Sequence, residues 1–387
     1  MHTLTLTFSS LIHSAGVALG ALLVVLLLTN KKGNRPANRW LAAYVSCLAL
    51  LWFEDVLEET RAILEFPSIA HLTDWLIFLV GPCLWMYVRR LTKQEEPSAT
   101  WFIPHTILAA ACLLFLATNF YFEPAEQKIA AILADYALLE HSLNEGLLIA
   151  AIQIMCYWVA SLFLLRRFNA SLRERYSSLG ARSFGWLRTM LSITLVMWLV
   201  WVIGLLLLEP WTDVLGAVAV VPGMYLLAFF GLRQPEVFID EEPPAAAAAA
   251  TTESASRYAR SGMDRERVPE FLARLENLML TEKPWLESDL TLAELATRAQ
   301  LSPHNLSQLL NEEVGKTFFD YVNSQRVDEV KRCLLDPAYD SQTILDIALA
   351  AGFSSKTAFN SAFRQHASTT PSEFRRRARA QPGMQSA

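Results

Sequence analysis

At 387 residues the chain has room for two or three domains, and 53% hydrophobic against 18% charged residues is too apolar for one soluble fold. A formal net charge of -5 excludes a uniformly basic nucleic-acid coat, so charge has to be read segment by segment. Cys47, Cys83, Cys112 and Cys156 lie in apolar runs and Cys333 far downstream. None has metal-ligand or disulfide-framework spacing, and all five read as small buried apolar residues.

From the N-terminus, apolar stretches near the ~20 residues needed to cross a ~30 Å hydrocarbon core run Ser9–Thr29, Trp40–Leu57, Leu72–Tyr87, Phe102–Tyr121, Leu147–Leu165, Leu187–Leu208 and Asp213–Gly231. The third is short and interrupted by Gly81 and Pro82, which membrane helices tolerate where neighbours satisfy the freed backbone groups. The first lacks a basic flank before its apolar run and so reads as a retained span, not a cleaved signal. Trp40, Trp75, Trp101 and Trp211 fall at predicted span ends, where an indole suits the headgroup zone.

Lys and Arg set the orientation. The odd-numbered loops carry Lys31, Lys32, Arg35 and Arg39, then Arg89, Arg90 and Lys93, then Arg166, Arg167, Arg173, Arg175, Arg182 and Arg188. The even-numbered loops hold only Arg61 and Lys128. This asymmetry places the N-terminus outside and, after seven crossings, the C-terminus in the cytoplasm of a cell whose inner membrane holds the protein. The predicted outer face collects Glu54, Asp55, Glu58, Glu59, His71, Asp74, Glu140, His141, Glu145, Glu209 and Asp213, with His13 inside the first span. Acidic loops follow from keeping basic residues inside, and no H-x-x-x-H or H-E-x-x-H spacing is present, so neither metal nor cofactor is assigned. His13 has the stronger claim to function, as an ionisable group within a span.

Residues 233–263 are a low-complexity linker of prolines, an acidic patch, six alanines and Thr/Ser, which as a coil reaches on the order of 30 Å. From Asp264 helical periodicity returns, beginning with a helix faced by Phe271, Leu272, Leu275, Leu278 and Met279 and ended by Lys283-Pro284. Thr291-Leu-Ala-Glu294 is a capping box that starts a second helix. Gln300-Leu301 turns, and Ser302-Pro303 opens a third with Leu306, Leu309 and Leu310 inside and His304, Ser307, Gln308 and Asn311 outside.

The pattern recurs from Thr343, through a turn at Gly352-Phe353, to a helix with Phe359, Ala362 and Phe363 inside and Lys356, Thr357, Asn360, Ser361 and Arg364 outside. Thr291, Ala296 and Ala299 match Thr343, Ala348 and Ala351 at one offset, whereas Leu306 and Leu310 match Phe359 and Phe363 at one residue more, so the second turn is longer. Between the two units a stripe of Phe318, Phe319, Tyr321, Val322, Val327, Val330, Leu334 and Leu335 predicts a spacer helix of roughly 18 residues, ~27 Å long. Recognition helices in successive major grooves stand ~34 Å apart, so such a spacer lets one chain do what a repressor dimer usually does. The predicted fold is all-α: a seven-helix membrane bundle (1–232), the linker (233–263) and a double helix-turn-helix domain (264–387) with units near 291–311 and 343–364.

Asp289-Leu-Thr-Leu-Ala-Glu-Leu-Ala296, Leu301-Ser302-Pro303 with Leu306, Gln325-Arg326-Val-Asp-Glu-Val-Lys331, Ile347-Ala348 with Ala351-Gly352-Phe353, and Thr370-Pro371-Ser-Glu-Phe-Arg375 resemble the DNA-binding domain of the AraC/XylS regulators over roughly Leu275 to Arg376. The resemblance implies that Arg326 and Lys331 belong to the connecting helix. It also implies that His304, Ser307, Gln308 and, in the second unit, Thr357, Asn360 and Ser361 face bases. One departure is that the glycine often found before Thr-Pro is replaced within His366-Ala-Ser-Thr369.

The expectation is a membrane-bound, non-enzymatic transcription regulator whose partners are duplex DNA, the lipid bilayer, an outer or membrane-borne signal and a second copy of the chain. Two alternatives remain: a transporter or intramembrane enzyme carrying a DNA-binding reporter, and a regulator whose spans only anchor it.

Overall fold

The computed structural model describes residues 7–30, 34–92, 99–138, 145–179, 185–207, 223, 226 and 265–380. Among them every regular element is helical, and one isolated bridge pairs Tyr176 with Thr291. Two compact units form, residues 1–167 with 184–239 and residues 168–183 with 240–387. The second unit therefore includes a piece of the chain that hydrophobicity assigns to the membrane domain.

In the first unit α1 (Phe8–Thr29) opens on a reciprocal Thr7–Ser10 capping box, and α2 (Arg35–Glu59) on Asn34, whose side chain accepts the Ala37 amide. The two pack through Gly16, where a Cβ would come within 3.0 Å of the Trp52 ring. Helix α3 (Ile77–Thr92) carries Pro82 inside it. At its Gly81 an added Cβ would lie 2.8 Å from Tyr157 Cδ2 on α6 (Glu145–Arg175), so the glycine permits that approach. Helices α4 (Ile107–Leu116), α5 (Ala125–Leu138) and α7 (Gly185–Leu207) complete the described part of the unit.

Five helical stretches are long and apolar enough to cross a membrane: Phe8–Thr29, Arg35–Glu59, Pro67–Thr92, Phe102–Tyr121 and Gly146–Arg175. They coincide with the first five expected spans, and Leu22, Val25, Leu114, Phe115 and Phe163 turn outward from them, an apolar surface that water penalises and lipid does not. The sixth expected span forms helix α7 but is not among those five, and the seventh lies outside the described residues apart from Gly223 and Leu226. Five of the seven expected spans are thus matched by membrane-length apolar helices among the described residues. Trp211, Glu140, His141, Glu209, Asp213 and the 233–263 linker also lie outside them.

Two helices run past the expected ends of their spans. Helix α2 continues to Glu59 and α6 to Arg175, since charged residues at the mouth of a span prolong a helix as readily as they end an apolar run. Lys128, expected in an outer loop, sits in α5 with its ammonium 5.8 Å from the centre of the Phe120 ring.

In the second unit α8 (Val268–Thr281) covers the domain. Helices α9 (Leu292–Arg298) and α10 (Pro303–Leu309, prolonged by a π-turn Leu310–Val314) make the first helix-turn-helix. Helix α11 (Phe318–Leu335), 18 residues long, connects it to α12 (Ile344–Ala350) and α13 (Lys356–Ala367), and α14 (Pro371–Ala380) closes the domain.

There are two separate hydrophobic cores. Phe318, Tyr321 and Val322 at the start of α11 pack with Leu275, Leu295, Ala296, Leu306 and Leu310, while Val327, Val330 and Leu334 pack with Ile347, Ala348, Phe359 and Phe363. Leu335, expected in the stripe, is 48% exposed. Between the cores α11 buries a polar belt of Asn323, Ser324 and Arg326.

Candidate nucleic-acid interface

Both units are built by the same local chemistry. Thr291 Oγ1 accepts the Glu294 amide while Glu294 Oε2 accepts the Thr291 amide, and Thr343 Oγ1 accepts the Asp346 amide. The recognition helices start on Ser302, which accepts from Asn305 N, and on Ser355, which accepts from Ala358 N. In both turns the chain folds back through one bond, Leu301 N to Ala296 O at 2.8 Å and Phe353 N to Ala348 O at 3.1 Å. Since Leu301 matches Phe353 and Ser302 matches Ser355, the extra residue of the second turn is Ser354.

The residues singled out for base and phosphate contact lie on the outer sides of these helices. His304 and Asn311 are exposed on and just beyond α10, with Ser307 and Gln308 half-exposed between them. Lys356, Thr357, Ser361 and Arg364 are exposed on α13 and Asn360 half-exposed. Thr357, Asn360, Ser361 and Arg364 line one surface depression of about 370 Å³.

Sequence reasoning missed what lies beside them. Gln308 Nε2 donates to both carboxylate oxygens of Glu312, at 3.2 and 3.1 Å, and Asn311 Nδ2 lies 3.4 Å from Ser307 Oγ, so the first face is pre-oriented by its own residues. The i, i+4 spacing of Gln308 and Glu312 was the available signal.

The basic cluster around α14 is largely committed to structure. Arg375 donates to the carbonyls of Tyr339, Asp340 and Gln342, Arg377 pairs with Glu373, and Arg379 with Asp340. Among the described residues Lys356 and Arg364 make no such pairs and stand exposed on α13.

Arg326 is the buried hub of the domain, 1% exposed. Its Nε donates to Trp285 O at 2.7 Å and its Nη2 to Glu287 O at 2.7 Å, its Nη1 reaches Asn323 Oδ1, and its guanidinium lies 5.9 Å from the Phe353 ring. Burial pushes its pKa down to about 10, with Asp289 acting the other way. Lys331, the other residue of the connecting helix, pairs with Asp328 at 3.0 Å.

In the first unit, His13 Nδ1 lies 3.2 Å from Glu59 Oε1 on α2. Glu54, Glu58 and His71 bring ligand atoms within 4.8 Å of one another and are the group among the described residues that could hold a metal ion. Thr73 N and Oγ1 both donate to Glu54 Oε2, and His71 Nδ1 lies 3.0 Å from Asp74 Oδ2.

Residues 295–377 match the helix-turn-helix domain family. The chain is 33% identical over 106 residues to the probable transcription factor PqrA of Proteus vulgaris, a match that covers 26% of this chain and 84% of that protein. It is 37% identical over 87 residues to an uncharacterized HTH-type transcriptional regulator of Staphylococcus aureus strain COL, covering 22% of this chain and 11% of the relative. The chain thus spans about a tenth of the length of its Staphylococcus relatives. No solved structure matches.

Proposed function

We propose, for a chain that belongs through its C-terminal domain to the AraC-type helix-turn-helix transcription regulators, a one-component receptor: a membrane bundle that senses an outer or membrane-borne signal and alters DNA binding by the cytoplasmic domain. The observation that carries this reading is the presence in one polypeptide of five membrane-length apolar helices and two helix-turn-helix units joined by a single 18-residue helix. At 1.5 Å per residue that helix is ~27 Å long, the scale needed to set two recognition helices toward successive major grooves. His304, Ser307, Gln308 and Asn311 are the proposed contacts of the first unit, and Lys356, Thr357, Asn360, Ser361 and Arg364 those of the second. Duplex DNA and the bilayer are the proposed partners, with a second copy of the chain on tandem sites.

The basic end of α6 supports a cytoplasmic C-terminus, because residues 168–183, from its Arg-rich loop, belong to the same compact unit as the DNA-binding domain. Reporter fusions test this: a fusion after Lys128 is expected outside the cytoplasm and one after Arg175 inside, and the reverse result overturns the topology. Exchanging the bundle for an unrelated membrane anchor is expected to abolish the response to signal, and a retained response would reduce the spans to an anchor.

A further inference from the structure

The end of α6 does not stop at the bundle. Arg173 lies 5.5 Å over the Phe319 ring, Tyr176 pairs in an isolated bridge with Thr291, and Ser177 and Ser178 are buried. Ser177 meets the first helix-turn-helix half and the polar belt together. Its amide and hydroxyl both donate to Leu290 O, at 3.2 and 2.7 Å, and its carbonyl accepts from Asn323 Nδ2 at 3.0 Å and Arg326 Nη1 at 3.2 Å. Its Oγ also accepts from Arg326 Nη2 at 3.1 Å. The next residue meets the second half, Ser178 Oγ lying 2.6 Å from Ser354 Oγ. Ser354 is the extra residue of the second turn and directly precedes the cap of the second recognition helix.

We propose that residues 173–178 are a strap that fixes the mutual orientation of the two helix-turn-helix units, so that Ser177 and Ser178 are positioning residues for DNA binding. The two units have separate cores and touch through a polar belt, and such a belt is rigid only when its buried groups are paired. The strap supplies one acceptor to Asn323 and two to Arg326 at that belt, and it bonds one unit with one residue and the other unit with the next. It leaves His304, Lys356, Thr357, Ser361 and Arg364 exposed, so it is compatible with bound DNA and is not a block. This role rests on the reading of the domain as a DNA-binding regulator.

The test uses the full chain in lipid nanodiscs and a duplex selected from a random pool by the wild-type chain, together with two versions in which one half of the selected site is scrambled. In a Ser178→Cys/Ser354→Cys variant, oxidation is expected to form an intramolecular cross-link, read by mass spectrometry of the joined peptides, with affinity for the intact site retained. The Ser177→Ala/Ser178→Ala variant is expected to lose about tenfold on the intact site and less than about twofold on either half-scrambled duplex, because only simultaneous engagement depends on a fixed spacing.

A missing cross-link, a cross-link that abolishes binding, an unchanged intact-site affinity or an equal loss on all three duplexes overturns the strap. Failure of the wild-type chain to enrich any duplex overturns the regulator reading instead, while the cross-link still reports the contact.

Discussion

The two helix-turn-helix units share caps, turns and inward faces, yet they differ in what surrounds their recognition helices. Beside the first, Glu312 and Glu313 follow Gln308, and Glu312 takes the Gln308 amide. On the second, Lys356 and Arg364 flank Thr357, Asn360 and Ser361. Carboxylates repel phosphate and orient an amide, whereas exposed cations attract phosphate without regard to base. Under the proposed function, this difference gives discrimination mainly to the first unit and electrostatic hold mainly to the second. The turns differ as well: Gln300 carries the positive φ of the first at 56°, and Gly352 that of the second at 90°.

The largest expected effect removes what joins the units. Arg326→Met removes the side-chain donor of the Trp285 carbonyl and one donor each from the carbonyls of Glu287 and Ser177, and is expected to cost roughly 3 kcal/mol or more. Hydrogen exchange across residues 265–380 of the full chain measures it, and unchanged protection would mean the units do not depend on the hub.

Next come the turns. At Gly352 a Cβ would sit 2.5 Å from Trp285 O, in a backbone conformation that L side chains rarely adopt, so Gly352→Ala is expected to cost roughly 2–3 kcal/mol. Gln300→Gly should instead stabilise by up to about 1 kcal/mol, since it relieves a left-handed non-glycine residue. Equal effects at both turns, in the same exchange measurement, would erase that part of the comparison.

Smaller effects separate the faces on DNA. Arg364→Gln is expected to weaken all duplexes alike and reduce the slope of log affinity against log salt by about one unit. Gln308→Ala should cost about 1–3 kcal/mol on the selected site with little change on random DNA. Competition binding at several salt concentrations reads both, and an equal loss on both duplexes for Gln308→Ala would mean that it does not read a base.

Much of this domain was legible in the sequence because its determinants are local. Capping at Thr291, Ser302, Thr343 and Ser355, the 18-residue spacer and the inward Leu306, Leu310, Phe359 and Phe363 follow from spacing alone. The departure before Thr370 also resolves locally: Ser368 takes the left-handed position, φ 52°, that glycine would favour.

What sequence could not show are partners far apart in the chain. Ser177 meets Arg326 across 149 residues and Ser178 meets Ser354 across 176, and no periodicity links them. Charge has the same blind spot, since nothing in the run of arginines at Arg375, Arg376, Arg377 and Arg379 shows that Arg375 is spent on three backbone carbonyls. In the first unit, hydrophobicity marked five helices that are long and apolar enough to cross a membrane, but not the ends of α2 and α6, because burial of apolar area says nothing about where a helix stops in water.

The most direct test of the central claim is a hydroxyl-radical footprint of the full chain on its selected duplex. Two protected stretches are expected on one face of the DNA, centred about 34 Å apart, with Gln308→Ala altering protection at one and Arg364→Gln weakening both. A single protected stretch, or two stretches on opposite faces of the duplex, would contradict a chain whose paired helix-turn-helix units read successive major grooves.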